Sequence, residues 1–168
     1  MLILRCTQRL RERLGHPKAE PITTPSTTVL GDWYCHLVYI GRTQLLLCVS
    51  ERSLLPILLP AREAQFLPVR LSAALNIALA ALNVDERAIY HELAQMQKYQ
   101  IAQTTNRSVV GVLNDFSKNL GYLIDPARVL VLEAISANLA QTPCRPIGYQ
   151  SPEDATRQRF AEYRQGVN

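Results

Sequence analysis

The hydrophobic and polar positions of the chain predict a β-hairpin near its centre. Trp33 to Ile40 and Leu45 to Val49 are runs of aromatic, β-branched and leucine residues that flank the turn sequence Gly41-Arg42-Thr43-Gln44. Both faces of the first run are apolar, so we expect the hairpin to lie centrally in a sheet that is covered on at least part of both faces. His36 shares a face with Tyr34 and Val38, and it is interpreted either as a hydrogen-bonded core histidine or as a site residue.

Three shorter segments predict further strands. Leu54 to Leu59 contains Pro56 and is closed by Pro60, which favours the edge of the sheet because proline donates no backbone hydrogen bond. The other predicted strands are Leu2–Leu4 and Tyr99–Thr104.

Apolar residues at helical spacing predict six helices. The segment Leu71 to Leu82, which can begin nearer Ala64, is apolar around most of its circumference and is expected to be a central helix. Asn83 and Glu86 resemble a capping box that opens the next helix. The remaining predicted helices are Gln8–Leu14, Asn106 to Gly121, Asp125-Pro126 to Ala140, and Ser151-Pro152 to Arg164.

Together these elements predict an α+β fold in which a small mixed or antiparallel sheet, built around the central hairpin, packs with five to six helices. We expect a single domain over residues 1–140, a proline-containing linker over 141–150, and a C-terminal helical tail over 151–168. That tail has few apolar residues to bury, so it either docks lightly or contacts a partner.

Composition places the chain among globular proteins and narrows its location. It has 168 residues, of which 48% are hydrophobic and 19% charged. The apolar run Leu71 to Leu82 is shorter than the roughly 20 residues that cross a bilayer, and the N-terminus lacks the features of a secretory signal. We therefore expect a cytoplasmic protein without a membrane span.

The cysteines and histidines do not predict a metal site. Cys6, Cys35, Cys48 and Cys144 are scattered without a paired ligand spacing, and the sequence contains no nucleotide-binding glycine motif or other cofactor signature. Cys35 and Cys48 flank the hairpin turn and are expected to be neighbours across it, as buried thiols rather than a disulfide.

The basic excess of the chain is concentrated near its start. The formal net charge is +4, and residues 1–18 carry five basic residues and one acidic residue, which gives the whole excess (5 − 1 = 4). Arg9 and Arg13 lie on the predicted first helix, which is therefore basic. Such a face attracts phosphate backbones or an acidic partner, although arginines on a short helix are often simply solvated.

The most unusual segment is the predicted helix from Asn106 to Leu120. Its apolar residues form one face, whereas Arg107, Ser108, Asn114 and Asp115 are candidate site residues on the other. Gly111 lies in the middle of that polar face, where it costs about 1 kcal/mol relative to alanine. Asn106 and Arg107 at the helix start could hold an anion. The alternative is that Asn106 is only a cap, Gly111 permits close packing, and Arg107 and Asp115 are solvated or paired.

The tract Asn106-Arg107-Ser108-Val109-Val110-Gly111-Val112-Leu113-Asn114-Asp115-Phe116, with Leu30-Gly31-Asp32-Trp33-Tyr34 and Leu54-Leu55-Pro56, resembles a bacterial family of uncharacterised domains. The resemblance covers residues 1 to 125. It implies a fold with a tryptophan-led hairpin followed by this helix, and it implies no activity, cofactor or catalytic residue.

Three hypotheses for function remain open. The first is a regulatory or binding module that recognises an anionic partner, nucleic acid or an acidic protein, through Arg9, Arg13, Asn106 and Arg107. The second is a small phosphodiester hydrolase in which Arg107 stabilises negative charge and Asp115 or His36 transfers protons. The third is a protein–protein adaptor, similar to a toxin–antitoxin component or a homo-oligomer, that associates through its C-terminal helix.

Overall fold

The computed structural model describes residues 1–18, 21–22, 24–125 and 127–167, and it contains a five-stranded sheet. The two long central strands are the predicted hairpin, and the turn between them is only Gly41-Arg42. The strands are β1 (Leu2–Cys6), β2 (Trp33–Ile40), β3 (Thr43–Ser50), β4 (Pro56–Pro60) and β5 (Tyr99–Gln103).

Six α-helices and two short 3-10 helices complete the described part of the fold, so the predicted α+β class is confirmed. The 3-10 helices are Ala64–Phe66 and Arg145–Ile147. The α-helices are α1 (Gln8–Arg13), α2 (Leu67–Ala81), α3 (Glu86–Gln95), α4 (Arg107–Leu123), α5 (Leu132–Leu139) and α6 (Pro152–Val167).

The sheet is mixed, with the strand order β4-β3-β2-β1-β5. β1 pairs in parallel with both β2 and β5, and β3 is antiparallel to its two neighbours. The predicted edge position of β4 is confirmed. The connection from β4 to β5 runs through α2 and α3, because strands at opposite edges of a sheet need a long crossover.

Alternation along the strands gives the sheet two apolar faces, and each face is covered by helices. On one face Trp33, Cys35 and Leu37 pack against α1, α2, α3 and α6. On the other face Tyr34 and Val38 pack against α4, through the predicted core residues Val109, Val112, Leu113, Phe116 and Leu120.

The prediction that α2 is a central helix rather than a surface helix is wrong. The side of the helix that is buried against the sheet consists of Leu67, Leu71, Leu75 and Leu79. The opposite side is solvent-exposed and largely apolar. Among the residues that the structure describes, Ala64–Ala81 is the one helix long and apolar enough to cross a membrane, and 33% of it is buried. Length and composition alone are weak evidence for a span, and the buried leucines of α2 belong to the core beneath the sheet.

Three predicted helix boundaries also differ from the structure. The cap of α3 is Asp85, whose side chain accepts from the amides of Arg87 and Ala88, and Asn83 instead adopts a left-handed backbone conformation. Gly121 does not end α4, which continues to Leu123 because the preceding leucines and Phe116 anchor it to the sheet. α5 begins at Leu132 rather than after Asp125, and Pro126 lies outside the described residues.

Candidate anion-binding surface

The first helix presents two arginines at one end of the sheet. α1 follows β1 directly, and Leu10 anchors it to the core with none of its surface exposed. Arg9 and Arg13 are separated by four residues and therefore lie on the same side of the helix, where both are exposed. Arg11 is not available to a ligand, because it is buried and its Nη1 donates to the carbonyl of Pro17 at 2.8 Å.

Arg9 and Arg13 both rest on the outer end of the hairpin. The Arg9 guanidinium carbon lies 4.4 Å from the centre of the Tyr39 ring. Arg13 donates from Nη1 to Gln44 Oε1 at 2.7 Å and from Nη2 to the carbonyl of Ala61 at 3.1 Å. Tyr39 and Gln44 are partners across the β2–β3 ladder, so one cross-strand pair positions both arginines.

Two more chain segments bring arginines to the same end. β4 ends beside this part of the hairpin, because Pro60 is paired with Leu45. Arg70, in the first turns of α2, donates from Nη1 to the carbonyls of Pro60 at 3.1 Å and Arg62 at 2.5 Å. Arg42 occupies the hairpin turn. We call the solvent-accessible set Arg9, Arg13, Arg42, Arg62 and Arg70 the arginine surface; all are exposed except Arg70, which is half-buried.

The arginine surface carries uncompensated positive charge. Within the described ranges none of its five members forms a salt bridge, whereas Arg5 on β1 pairs with Asp32 at 2.5 Å. Glu12 and Glu63 adjoin these segments in sequence, and Glu133 and Glu153 line a groove together with Arg70. In the described residues none of these four carboxylates forms a salt bridge with an arginine of the surface. The guanidinium groups of Arg9, Arg13 and Arg70 contact neutral carbonyl, amide and aromatic groups. These contacts order the side chains without neutralising their charge.

The sequence predicted only part of this surface. Arg9 and Arg13 were found because they are close in the chain, but Arg42, Arg62 and Arg70 were missed. They come from segments that are distant in sequence, and no local motif links them. The register of β3 with β4 brings them together.

His36 lies near this end but is not a cationic site residue. It is half-buried on the α4 side of β2, and its Nδ1 lies 3.4 Å from Thr7 Oγ1. Burial lowers its pKa, and the nearby Arg9 lowers the same pKa further. The imidazole is therefore neutral at pH 7 and supplies hydrogen bonds rather than charge.

The start of α4 is capped by its own chain. Asn106 Oδ1 accepts from the amides of Ser108 at 3.0 Å and Val109 at 3.4 Å, and the Asn106 amide donates to the Tyr34 hydroxyl at 3.1 Å. These contacts occupy most of the amides that a bound anion would use. Arg107 is exposed on α4, which covers the face of the sheet opposite to α1. The structure therefore does not join Asn106 and Arg107 to the arginine surface.

The polar face of α4 lines a groove of about 550 Å³ against the segment Thr142–Tyr149. Ser108, Gly111 and Asp115 line it, while Asn114 is exposed. A Cβ placed on Gly111 would have no neighbour within 4 Å, so close packing does not explain this glycine. Burial, with a contribution from the nearby Asp115, raises the pKa of the Cys144 thiol to about 11.

The three residues of the hydrolase hypothesis are not brought together. The groove along α4 is lined by Asp115, and neither His36 nor Arg107 lines it. His36 is bonded to the residue that follows β1, and Arg107 is two helical turns from Asp115. In the part of the chain that the structure describes, these positions do not form one site.

The cysteines form a buried row rather than a ligand set. Cys6, Cys35 and Cys48 are aligned across three neighbouring strands, so the predicted proximity of Cys35 and Cys48 is confirmed. All four cysteines are buried and free. Burial, with the neighbouring thiols, raises the pKa of Cys35 well above its ordinary value, which keeps it protonated and unreactive. No group of three potential metal ligands occurs in the described ranges.

Comparison with known proteins assigns a family but no activity. A family model described as Domain of unknown function (DUF6933) matches residues 3–155. The chain belongs to this family, and the match continues beyond residue 125, where the resemblance seen in the sequence ended. No curated protein and no solved structure matches the chain.

Proposed function

We propose that this member of the DUF6933 family is a cytoplasmic binding module that recognises a nucleic acid through the phosphate contacts of its arginine surface. The observation that carries the proposal is the convergence of Arg9, Arg13, Arg42, Arg62 and Arg70 from separate segments, with no carboxylate bonded to any of them in the described residues. The four buried free thiols fit a reducing compartment.

Guanidinium groups suit this task because their planar N–H donors match phosphate oxygens in a bidentate geometry. Each phosphate that is neutralised releases condensed counterions, so affinity should fall steeply with salt. Arg9, Arg13 and Arg70 are already held by protein contacts, which lowers the entropy lost when a ligand orders them.

The arginines of this surface differ in their contacts from an arginine whose charge is neutralised within the fold. Arg5 is the example of such a neutralised arginine: its side chain is 15% exposed, and it forms a salt bridge with Asp32, whose side chain is 11% exposed. By contrast, Arg9 and Arg13 remain exposed and meet only an aromatic ring, an amide oxygen and a carbonyl. Their charge stays available to a partner.

The test is a salt titration of binding to labelled DNA and RNA of mixed sequence. We expect binding at low salt, and we expect the double substitution Arg9→Ala with Arg13→Ala to weaken it and to reduce the slope of log K against log salt by about 0.7–0.9 per lost phosphate contact. The matched control is Arg157→Ala with Arg159→Ala, which removes the same charge from α6, where both arginines are ion-paired.

If the control variant weakens binding as much as Arg9→Ala with Arg13→Ala does, then only the total charge of the protein matters and the arginine surface is not the binding site. Absence of binding to every nucleic acid at low salt, or binding unchanged by Arg9→Ala with Arg13→Ala, would overturn the proposal.

A further inference from the structure

We infer that the ligand of the arginine surface is single-stranded nucleic acid, with Tyr39 and Phe66 as the positions on which its bases stack. The inference rests on the proposed function and deepens it by naming the form of the nucleic acid. It comes from two aromatic side chains that are exposed among the arginines and that phosphate recognition alone does not use.

Tyr39 is the first of these rings. It lies near the end of β2 and is 42% exposed, although the neighbouring residues Leu37 and Val38 are buried. The Arg9 guanidinium lies 4.4 Å from its ring centre, which holds a cation and an aromatic ring in one stacked unit. Such a unit offers a flat surface to a base and a charge to the adjoining phosphate.

Phe66 is the second ring. It ends the 3-10 helix before α2 and is 52% exposed, whereas the next residue, Leu67, is 1% exposed and belongs to the core. Phe66 is four residues before Arg70 and four after Arg62, so helical geometry places it beside Arg70. About half of the Phe66 side chain is exposed to solvent beside Arg70, and this exposed ring is available to stack on a base.

This combination favours a single strand over a duplex. In a duplex the faces of the bases are stacked on one another, and only their edges are accessible in the grooves. In a single strand the faces are accessible, and stacking on aromatic side chains adds affinity without demanding a sequence. Because the surface offers rings and guanidinium groups rather than a helix aimed at a groove, it matches the single strand.

The test compares single-stranded oligonucleotides of roughly 15 nucleotides with the corresponding duplexes. We expect the single strand to bind more tightly. Tyr39→Leu and Phe66→Leu, which remove the ring but keep an apolar side chain, should each weaken single-strand binding about 10-fold without changing the salt slope. The matched controls are Tyr90→Leu and Tyr122→Leu, because these tyrosines are 78% and 91% exposed and lie on α3 and α4.

The outcomes separate the inference from the proposed function. If duplexes bind as tightly as single strands, and Tyr39→Leu and Phe66→Leu change nothing while the arginine variants still lose binding, then phosphate recognition stands and the single-strand inference fails. If no nucleic acid binds but vesicles of phosphatidylglycerol do, both fail, because the exposed apolar side of α2 would then be a lipid contact. Circular dichroism of each variant confirms that it is folded.

Discussion

The backbone amide of Leu58 donates to the hydroxyl of Ser136 at 3.0 Å, which joins the edge strand β4 to α5. Ser136 in turn donates to the carbonyl of Leu132 at 2.8 Å. Pro56 and Pro60 lie two residues on either side of Leu58 and have no amide hydrogen, so along this strand only the Leu58 amide points outward. The Ser136 side chain thus supplies the acceptor for the one outward amide of this edge strand.

This arrangement predicts that Ser136→Ala destabilises the protein by about 1–3 kcal/mol, because the buried Leu58 amide loses its acceptor. Urea unfolding measures the change. The control is Ser117→Ala on α4, where the hydroxyl donates only to the carbonyl of Leu113 within its own helix, and there we expect a change close to zero. Equal losses for the two variants would contradict the role assigned to Ser136.

A second prediction concerns the buried hydroxyls that fasten α6 to the sheet. Thr156 Oγ1 lies 2.8 Å from Ser53 Oγ, which lies 2.9 Å from Ser50 Oγ, and the Leu55 amide donates to Ser50 Oγ at 3.0 Å. Thr156→Val keeps the shape of the side chain but removes one hydroxyl from this series of hydrogen bonds. We expect the free energy of unfolding to fall by about 1–3 kcal/mol.

Thr156→Ser is the matched control, because it preserves the hydroxyl. We expect it to retain most of the hydrogen-bonded stability when both variants are compared in thermal and urea unfolding. A valine variant as stable as the parent would show that the chain of hydroxyls contributes nothing.

A third prediction concerns Gly111 in α4. Because no atom lies within 4 Å of a Cβ at this position, Gly111→Ala should stabilise the protein by about 0.5–1 kcal/mol through the higher helix propensity of alanine. Gly121→Ala is the control, since Gly121 also lies in α4 without a neighbour. If Gly111→Ala lowers the urea concentration at which the protein unfolds and Gly121→Ala does not, Gly111 has a packing partner after all.

A fourth prediction concerns pH. Glu92 is fully buried on α3 and accepts from the amides of Val29 at 2.5 Å and Leu30 at 3.1 Å. Burial raises its pKa in the folded protein, although the two backbone amides oppose this effect. The folded chain therefore holds the Glu92 proton more tightly than the unfolded chain does. The stability contributed by protonated Glu92 is present below the unfolded pKa and is lost as the pH rises through the folded pKa.

Glu92→Gln removes this titration. As the pH rises from about 4 to about 8, the difference in unfolding free energy between variant and parent should shift in favour of the variant. Urea unfolding at a series of pH values measures it. A constant difference across that range would mean that the pKa of Glu92 is the same in the folded and unfolded chains.

Local patterns were sufficient for most of the fold. The hairpin, the edge position of β4 and the inward face of α4 were predicted because side-chain alternation, proline chemistry and helical spacing act within a few residues. The predicted central position of α2 was wrong because α2 is apolar around most of its circumference, and only packing selects which side meets the sheet. The division into a domain, a linker and a helical tail remains a prediction.

The sequence by itself determined the strands and helices, the buried thiols and the local charge of Arg9 and Arg13, since each depends on neighbouring residues. Only the tertiary structure decided which charged residues share a surface. Arg42, Arg62 and Arg70 reach Arg9 and Arg13 through the β2–β3 and β3–β4 registers, whereas Arg107 is placed on a helix that covers the other face of the sheet. Strand register and the side on which a helix crosses are set by long-range packing, which no short segment specifies.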